Sequence, residues 1–219
     1  MKKSALLLNL IQHLDRKKAV PNRSPVKANA GYTIIELLVV VLIIGILATI
    51  AAPSWLGFIN QRRVNVINDG IFRALQEAQN LAKNRKLSYS VSFRTSPDNV
   101  PEIAIYPKDS TPGAAQWRSL SKDLSIKPGQ ILIGTNLQGE NQRRANVDYN
   151  LQPEEKITFD YLGALYTGTS VPNANSTDLT IVVAANNRGG AVESTIRCVK
   201  VKTLLGALTT GKGKSECGV

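Results

Sequence analysis

The dominant feature of the chain is an apolar run from Ile34 to Ala52, which only Glu36 and Thr49 interrupt. As an α-helix, a run of this size is about 28 Å long, close to the hydrocarbon thickness of a bilayer. Basic residues precede the run, so the positive-inside tendency places the N-terminus in the cytoplasm and the remainder of the chain outside. The pattern therefore predicts a membrane-spanning helix.

A helical pattern continues after Pro53, which ends the apolar run and is expected to kink a continuing helix by removing a backbone donor. Apolar residues then recur at three- and four-residue steps along one face. They are Val64, Ile67, Ile71, Leu75, Ala78 and Ala82. We expect a sheet to pack on this stripe.

The rest of the chain has the pattern of strands. Leu87–Phe93 alternates strictly between apolar and polar residues, as a half-buried strand does. Turn-forming stretches separate five further candidates, while the polar segment 136–152 has no assignable pattern. The candidates are Glu102–Tyr106, Ile131–Gly134, Lys156–Asp160, Leu179–Ala184 and Thr195–Thr203. Several strands after one long helix predict the α+β class, with an antiparallel sheet packed on the helix.

The net charge of +11 is unevenly distributed along the chain. Residues 1–31 contain seven Lys or Arg but only one acidic residue, Asp15, so they contribute 7 − 1 = 6 of the 11 charges. The charge of the whole chain therefore says little about the charge of the part that follows, and nucleic-acid binding cannot be inferred from it.

Catalytic and metal-binding chemistry is poorly represented. The single histidine, His13, lies in the N-terminal basic stretch, and two cysteines alone make a poor metal site. We therefore predict no enzymatic activity, no metal and no cofactor.

Three ordinary explanations of the apolar run compete, and Glu36 fits none of them well. A secretory signal peptide would have an unusually long charged region before it and a carboxylate within it. A simple membrane anchor would hold an unpaired charge, although ionisable residues in membrane segments are rare and usually paired. A buried helix of a soluble protein is at odds with the uninterrupted apolar stretch Leu37–Ala48.

The segment Gly31-Tyr32-Thr33-Ile34-Ile35-Glu36-Leu37-Leu38-Val39-Val40 resembles the processing site of type IV prepilins and pseudopilins. The resemblance implies that a dedicated prepilin peptidase cuts after Gly31 and methylates the new amine of Tyr32, where phenylalanine is more usual. Glu36 then becomes the fifth residue of the mature chain, and it pairs with the terminal ammonium of a neighbouring subunit. Such pairing makes physical sense, because each charge alone is costly in an apolar bundle.

The same resemblance implies a domain organisation and a set of partners. Residues 1–31 would be a cytoplasmic leader, 32–86 the long pilin helix, and 87–219 a β-sheet domain of the pilin-like fold. Residues 32–52 would lie in the membrane before assembly and in the filament core afterwards. The implied partners are other pilins, the prepilin peptidase and the inner-membrane assembly platform. The chain would move from the inner membrane to an extracellular pilus or a periplasmic pseudopilus.

The second half of the chain resembles the GspH/FimT group. The resemblance rests on Ile157–Gly163, Leu179–Val183 and Ile196–Val201, followed by Leu204-Leu205-Gly206. Members of this group are minor pilins of type IV pili or minor pseudopilins of type II secretion systems. The first of these roles is the expected function, and the second is the alternative.

The only cysteines, Cys198 and Cys217, lie near the C-terminus. In an exported chain they are expected to form a disulfide that closes the C-terminal tail, whereas two free thiols would fit a cytosolic chain.

Basic residues near the C-terminus raise the question of binding to double-stranded DNA. Lys200 and Lys202 alternate with valines and should share a strand face, and Gly211–Lys214 is expected to be a flexible loop that presents two lysines. FimT-type pilins contribute to DNA uptake through a Gly-Arg-x-Arg motif, which is missing here because Ala207 follows Gly206. The opposing interpretation is that the lysines only solvate an edge strand. The candidate residues are Arg188, Lys200, Lys202, Lys212 and Lys214.

Overall fold

The computed structural model describes residues 31–121, 126–168 and 177–219, and the side chains of residues 52–54 are outside the description. The predicted leader therefore lies outside the described residues, apart from Gly31. By its internal contacts the chain divides into two units, one ending at Ala48 and the other comprising Thr49–Val219.

A single long helix, α1, runs from Ile34 to Arg85, close to the predicted range 32–86. Thr33 caps its N-terminus, because the Thr33 Oγ1 accepts a hydrogen bond of 3.2 Å from the backbone N–H of Glu36. The Glu36 carboxylate in the first turn also suits the positive end of the helix dipole. The backbone stays helical through Pro53. The predicted kink depends on the Pro53 ring, and this side chain is outside the description.

In the first unit, the side chains of α1 are exposed throughout. The most apolar 18-residue window of the helix has a mean hydropathy of 3.0, and none of it is buried. By length and composition this helix is able to cross a membrane, and it is the one such helix among the described residues.

In the second unit, α1 buries the predicted apolar stripe. All six stripe residues, from Val64 to Ala82, have no exposed surface. They form the helical side of the main hydrophobic core, whose other side is made by inward-facing strand residues such as Val91, Phe159 and Ile181. The stripe prediction is confirmed.

In the described part of the chain, ten strands form two antiparallel sheets. Four of them make the first sheet, in the order β3-β2-β1-β6. Their ranges are β1 Tyr89–Thr95, β2 Pro101–Pro107, β3 Trp117–Ser119 and β6 Lys156–Phe159.

The second sheet has six strands, five of them in the order β10-β9-β7-β4-β5, while β8 pairs with β7. The ranges are β4 Ile131–Gly139, β5 Gln142–Asp148, β7 Leu179–Asn187, β8 Gly190–Ala191, β9 Arg197–Val201 and β10 Leu208–Lys212. A five-residue helix, α2, follows at Gly213–Cys217, and two 3₁₀ turns lie at Ala114–Gln116 and Glu193–Thr195.

The predicted α+β architecture, a long N-terminal helix packed on antiparallel sheet, is confirmed, with two differences. The strands divide between two sheets rather than one, and segment 136–152, which had no assignable pattern, contains the end of β4 and all of β5. The prediction of a flexible loop at Gly211–Lys214 is wrong, because these residues end β10 and begin α2.

A second, smaller apolar cluster lies on the other face of the six-stranded sheet, away from α1. Cys198 and Val182 belong to this cluster, although their strand neighbours Val199 and Val183 face the main core. Ile196 and Cys217 cover the cluster. The C-terminal tail is therefore packed on the sheet.

Candidate functional site

Gly31, Tyr32 and Thr33 form a short exposed segment directly before α1. The Tyr32 side chain is 82% exposed. None of the three residues belongs to a helix or strand, so the peptide bond after Gly31 is not held in a backbone ladder. A peptidase needs this accessibility, because it must bind the backbone on both sides of the bond.

Glu36 lies one turn further along, with its side chain exposed among apolar neighbours. Its backbone N–H is bound by Thr33, but its carboxylate has no hydrogen bond or ion pair to any residue that the structure describes. In an apolar environment such a carboxylate is strongly destabilised unless a cation pairs with it. Among the described residues, no cation offsets this cost for Glu36.

The disulfide predicted between Cys198 and Cys217 is present, with Cα atoms 5.7 Å apart. Cys198 lies in the middle of β9 and Cys217 at the end of α2, and both are buried. Gly211 lies across from Cys198 in β10, where an added Cβ would come within 2.9 Å of the Cys198 sulfur. This close approach explains why glycine occupies the position.

The basic residues of the tail are placed on different faces. Lys200 lies in β9 between the core residues Val199 and Val201, so it projects from the opposite face, as predicted. Lys202 lines the same shallow depression as Lys200, but so does the acidic Glu216.

Lys212 projects to the other side of the sheet. It pairs in register with Arg197, two residues from the core-facing Val199, so both belong to the helix-facing side. The two side chains line a polar notch with Asn65, Asn68 and Asp69 of α1. The lysines therefore do not form the single patch that their spacing suggested.

Carboxylates also neutralise part of the tail. The Lys214 ammonium lies 2.6 Å from a carboxylate oxygen of Glu193, and Lys202 lies 3.6 Å from Asp178. Arg188 lies apart from these lysines, in the turn between β7 and β8. The edge-strand interpretation is wrong for Lys200, because β9 lies between β7 and β10, but Lys212 does lie on an edge strand, β10.

Two tyrosines in the second unit have perturbed ionisation. Burial raises the pKa of the Tyr149 hydroxyl above its ordinary 10.0, although the nearby Lys214 charge acts in the opposite direction. Burial likewise raises the pKa of Tyr106, opposed by its hydrogen bond with Ser92. Both hydroxyls therefore stay protonated at neutral pH, and Tyr149 adds no charge beside Lys214.

Sequence reasoning missed a buried charge network at the end of β4 and β5. Glu155 follows Glu154 in a polar stretch, where carboxylates are ordinarily solvated, but only 3% of Glu155 is exposed. The Arg144 guanidinium binds one carboxylate oxygen of Glu155, and the Thr135 hydroxyl donates a 2.9 Å hydrogen bond to the other. Arg144 also binds the Leu137 carbonyl and Asp148. This network is structural, since it joins two strands to the 149–155 segment.

Gln79, on α1, holds two loops that contain the glycines of the GspH/FimT-like stretches. Its side-chain amide donates to the carbonyl oxygens of Gly163, at 3.1 Å, and Gly206, at 2.7 Å. Both glycines have positive φ, of 81° and 77°, where other residues are strained. No sequence signal identified Gln79, because a glutamine on a helix is ordinarily solvated.

Comparison with known proteins identifies the N-terminal segment. A family model described as the prokaryotic N-terminal methylation motif matches residues 26–52. The resemblance inferred from Gly31–Val40 is thereby confirmed: the chain carries the methylation motif of type IV pilins and pseudopilins.

Two solved structures align with part of this chain. The crystal structure of the Pseudomonas aeruginosa type IV minor pilin FimU is 15% identical, covers 73% of this chain and 98% of its own, and gives a TM-score of 0.46. The solution structure of Escherichia coli GspH is 16% identical, covers 70% of this chain and 91% of its own, and gives a TM-score of 0.38. No curated protein matches the chain.

Proposed function

We propose that this chain is a minor subunit of a type IV pilus, made as a membrane-inserted precursor and cut after Gly31. The observation that carries the proposal is the methylation motif over residues 26–52, within which an exposed segment precedes a helix with an unpaired carboxylate in its first turn. The role is structural: the subunit helps to build or initiate the filament.

Processing would begin at the exposed segment. Prepilin peptidase removes the leader 1–31 on the cytoplasmic side, so that Tyr32 supplies the new N-terminal amine, which is then methylated. The accessible backbone at Gly31–Thr33 supports this assignment. Because α1 begins at Ile34, the new terminus is only two residues from the helix.

Glu36 would guide assembly. A carboxylate and an ammonium in an apolar bundle are each costly alone and much less costly as a pair. The exposed Glu36 therefore favours a position beside the terminal amine of a neighbouring subunit. The apolar surface of 32–52 would contact lipid first and neighbouring helices later, when the assembly platform moves the subunit from the inner membrane into the filament.

The proposal predicts that Glu36→Ala abolishes or strongly reduces the function of the subunit in pilus assembly. In a strain that lacks the gene, surface pili counted by electron microscopy should return with the wild-type chain but not with Glu36→Ala. Glu154→Ala, which removes an exposed carboxylate outside the helix, is the matched control and should restore piliation. Normal piliation in the deletion strain would contradict an assembly role.

The alternative within the same class is a minor pseudopilin of a type II secretion system. The cleavage and the role of Glu36 are the same in both cases, so the chain alone does not separate them. A secretion operon next to the gene would favour the alternative, and a genome without one would eliminate it.

A role as a DNA-binding competence pilin has weaker support. Lys200 and Lys202 share a face, but Glu216 lies in the same depression, and Asp178 pairs with Lys202. We expect residues 60–219 to bind labelled duplex DNA with a Kd of about 10⁻⁴ to 10⁻⁶ M in fluorescence anisotropy at physiological salt, the range of non-specific binding.

Two double variants test the two pairs of tail lysines separately in that titration. Lys200→Ala/Lys202→Ala and Lys212→Ala/Lys214→Ala should both leave the weak signal almost unchanged. Tight binding that falls steeply with salt and is lost in either pair would instead make this a DNA-contacting pilin, and the affected pair would identify the contact face.

A further inference from the structure

Three large apolar side chains are exposed in the part of α1 between the apolar run and the globular core. Trp55 and Leu56 are each 64% exposed and Phe58 is 57% exposed. The rings of Trp55 and Phe58 lie side by side, with centroids 6.1 Å apart. Exposed aromatic side chains this large indicate a surface that some partner covers.

Among the described residues, the globular domain does not cover this surface. The main core begins at Val64, and neither Trp55 nor Phe58 belongs to it. Arg63 is the first residue of α1 with a described side-chain hydrogen bond to the rest of the domain. It donates to the Oε1 of Gln130, the residue before β4, at 3.0 Å. The aromatic pair thus follows the apolar run and precedes the region where the domain holds α1.

We propose that Trp55 and Phe58 bind the lipid headgroup–acyl boundary of the membrane while the subunit awaits assembly. This inference rests on the membrane-inserted stage of the proposed function. Trp55 and Phe58 then form an aromatic anchor at the outer end of the membrane-spanning segment, and their partner is phospholipid.

The position of Trp55 suits this boundary. It lies three residues beyond Ala52, or about 4.5 Å along a helix, which is where the hydrocarbon gives way to headgroups. Tryptophan is enriched there because its ring is apolar while its indole N–H donates a hydrogen bond. The side chains of residues 34–51 in the apolar run are also exposed.

Polar residues follow the aromatic pair along α1, on the side away from the apolar run. Arg62 lies four residues after Phe58, on the same side of the helix, and it is exposed. Its guanidinium is suited to a lipid phosphate, which it binds through parallel hydrogen bonds. At the other end of the run, Tyr32 is 82% exposed and supplies an aromatic residue at the opposite boundary.

The test uses the full-length chain in vesicles of phosphatidylethanolamine and phosphatidylglycerol. The chain has two tryptophans, so Trp117→Phe leaves Trp55 as the only tryptophan emitter. This change is mild, because phenylalanine keeps a ring for the Arg94 guanidinium, which lies 4.1 Å from the Trp117 ring centroid. Lipids brominated near the headgroup or deep in the acyl chain then report the depth of Trp55.

We expect the shallow bromine to quench Trp55 about twofold more than the deep bromine, as for interfacial tryptophans. The matched variant Trp55→Phe leaves Trp117 in the globular domain, and neither lipid should quench it. Absence of quenching at Trp55 would overturn the inference and indicate that a protein surface covers the pair. Stronger quenching by the deep bromine would also overturn it, because the span would then continue past Ala52.

Vesicle flotation distinguishes failure of the inference from failure of the proposed function. If the chain floats with the vesicles but shallow bromine does not quench Trp55, only the aromatic anchor is wrong. If the chain does not float at all, the membrane-inserted stage is wrong and the anchor fails with it.

Discussion

Replacing Glu155 with alanine is expected to destabilise the globular domain by about 3 kcal/mol, because it leaves the Arg144 guanidinium without its buried carboxylate partner. Glu155 is 3% exposed, and both of its carboxylate oxygens are used, one by Arg144 and one by the Thr135 hydroxyl. Removing one partner of a buried ion pair is costly, even where the pair as a whole contributes little net stability.

The size of the effect depends on what Arg144 retains. Its side chain is 27% exposed, and it keeps a 2.9 Å contact with Asp148 and a hydrogen bond to the Leu137 carbonyl. Partial solvation and these contacts place the expected loss at the lower end of the range for buried pairs, about 3 to 5 kcal/mol. The Thr135 hydroxyl also loses its acceptor, and leaving a buried donor unpaired adds to the cost.

Urea unfolding of residues 60–219, followed by circular dichroism, measures this effect. Glu155→Gln keeps the shape and an acceptor oxygen, so its loss should be smaller than that of Glu155→Ala. Glu154→Ala is the neighbouring control, and since that side chain is exposed its effect should stay within about 0.5 kcal/mol. Equal stability of Glu155→Ala and Glu154→Ala would show that the buried network contributes nothing.

Loss of the disulfide is expected to cost a similar amount, about 3 kcal/mol. Cys198 and Cys217 are 19 residues apart, and on chain-entropy models a closed loop of this length stabilises the folded state by about 3 kcal/mol. The bond also fastens α2 over the apolar cluster of the six-stranded sheet, which includes both cysteines. Without it, Ile196 and the sheet residues beneath α2 lose part of their cover.

A comparison under oxidising and reducing conditions isolates the covalent contribution. The stability of the wild type should fall in the presence of dithiothreitol to near that of Cys198→Ala/Cys217→Ala, whereas the variant should not respond to the reductant. Unchanged stability of the wild type on complete reduction, checked by thiol titration, would contradict the prediction.

The sequence predicted the helix, its buried stripe and six strands because their patterns are local. Burial of Val64–Ala82 follows from a 3.6-residue period, and β1 from strict alternation. The division into two sheets could not be predicted, because it depends on pairings between distant strands such as β4 with β7. The segment that forms β10 and α2 was missed for a related reason: Leu208–Gly218 has almost no apolar alternation, and its position is fixed by β9 and the disulfide.

Prediction of the candidate site residues has the same limit: local patterns can be read from the sequence, but contacts between distant segments cannot. Alternation correctly placed Lys200 and Lys202 on one face, but the face of Lys212 depends on its register with Arg197, which sequence does not show. The burial of Glu155 could not be predicted, because a carboxylate is buried only where a partner meets it, and its partner Arg144 lies in β5. By contrast, the processing motif is read directly from consecutive residues, and so it could be identified from sequence alone.

The central claim, that this chain is processed as a prepilin, is tested most directly by mass spectrometry of the N-terminus of the native protein recovered from its own cells. The account predicts a mature chain that begins at Tyr32 and carries one methyl group on its terminal amine. A chain that begins at Met1, or one that begins near Pro53 as after signal-peptide cleavage, would contradict it.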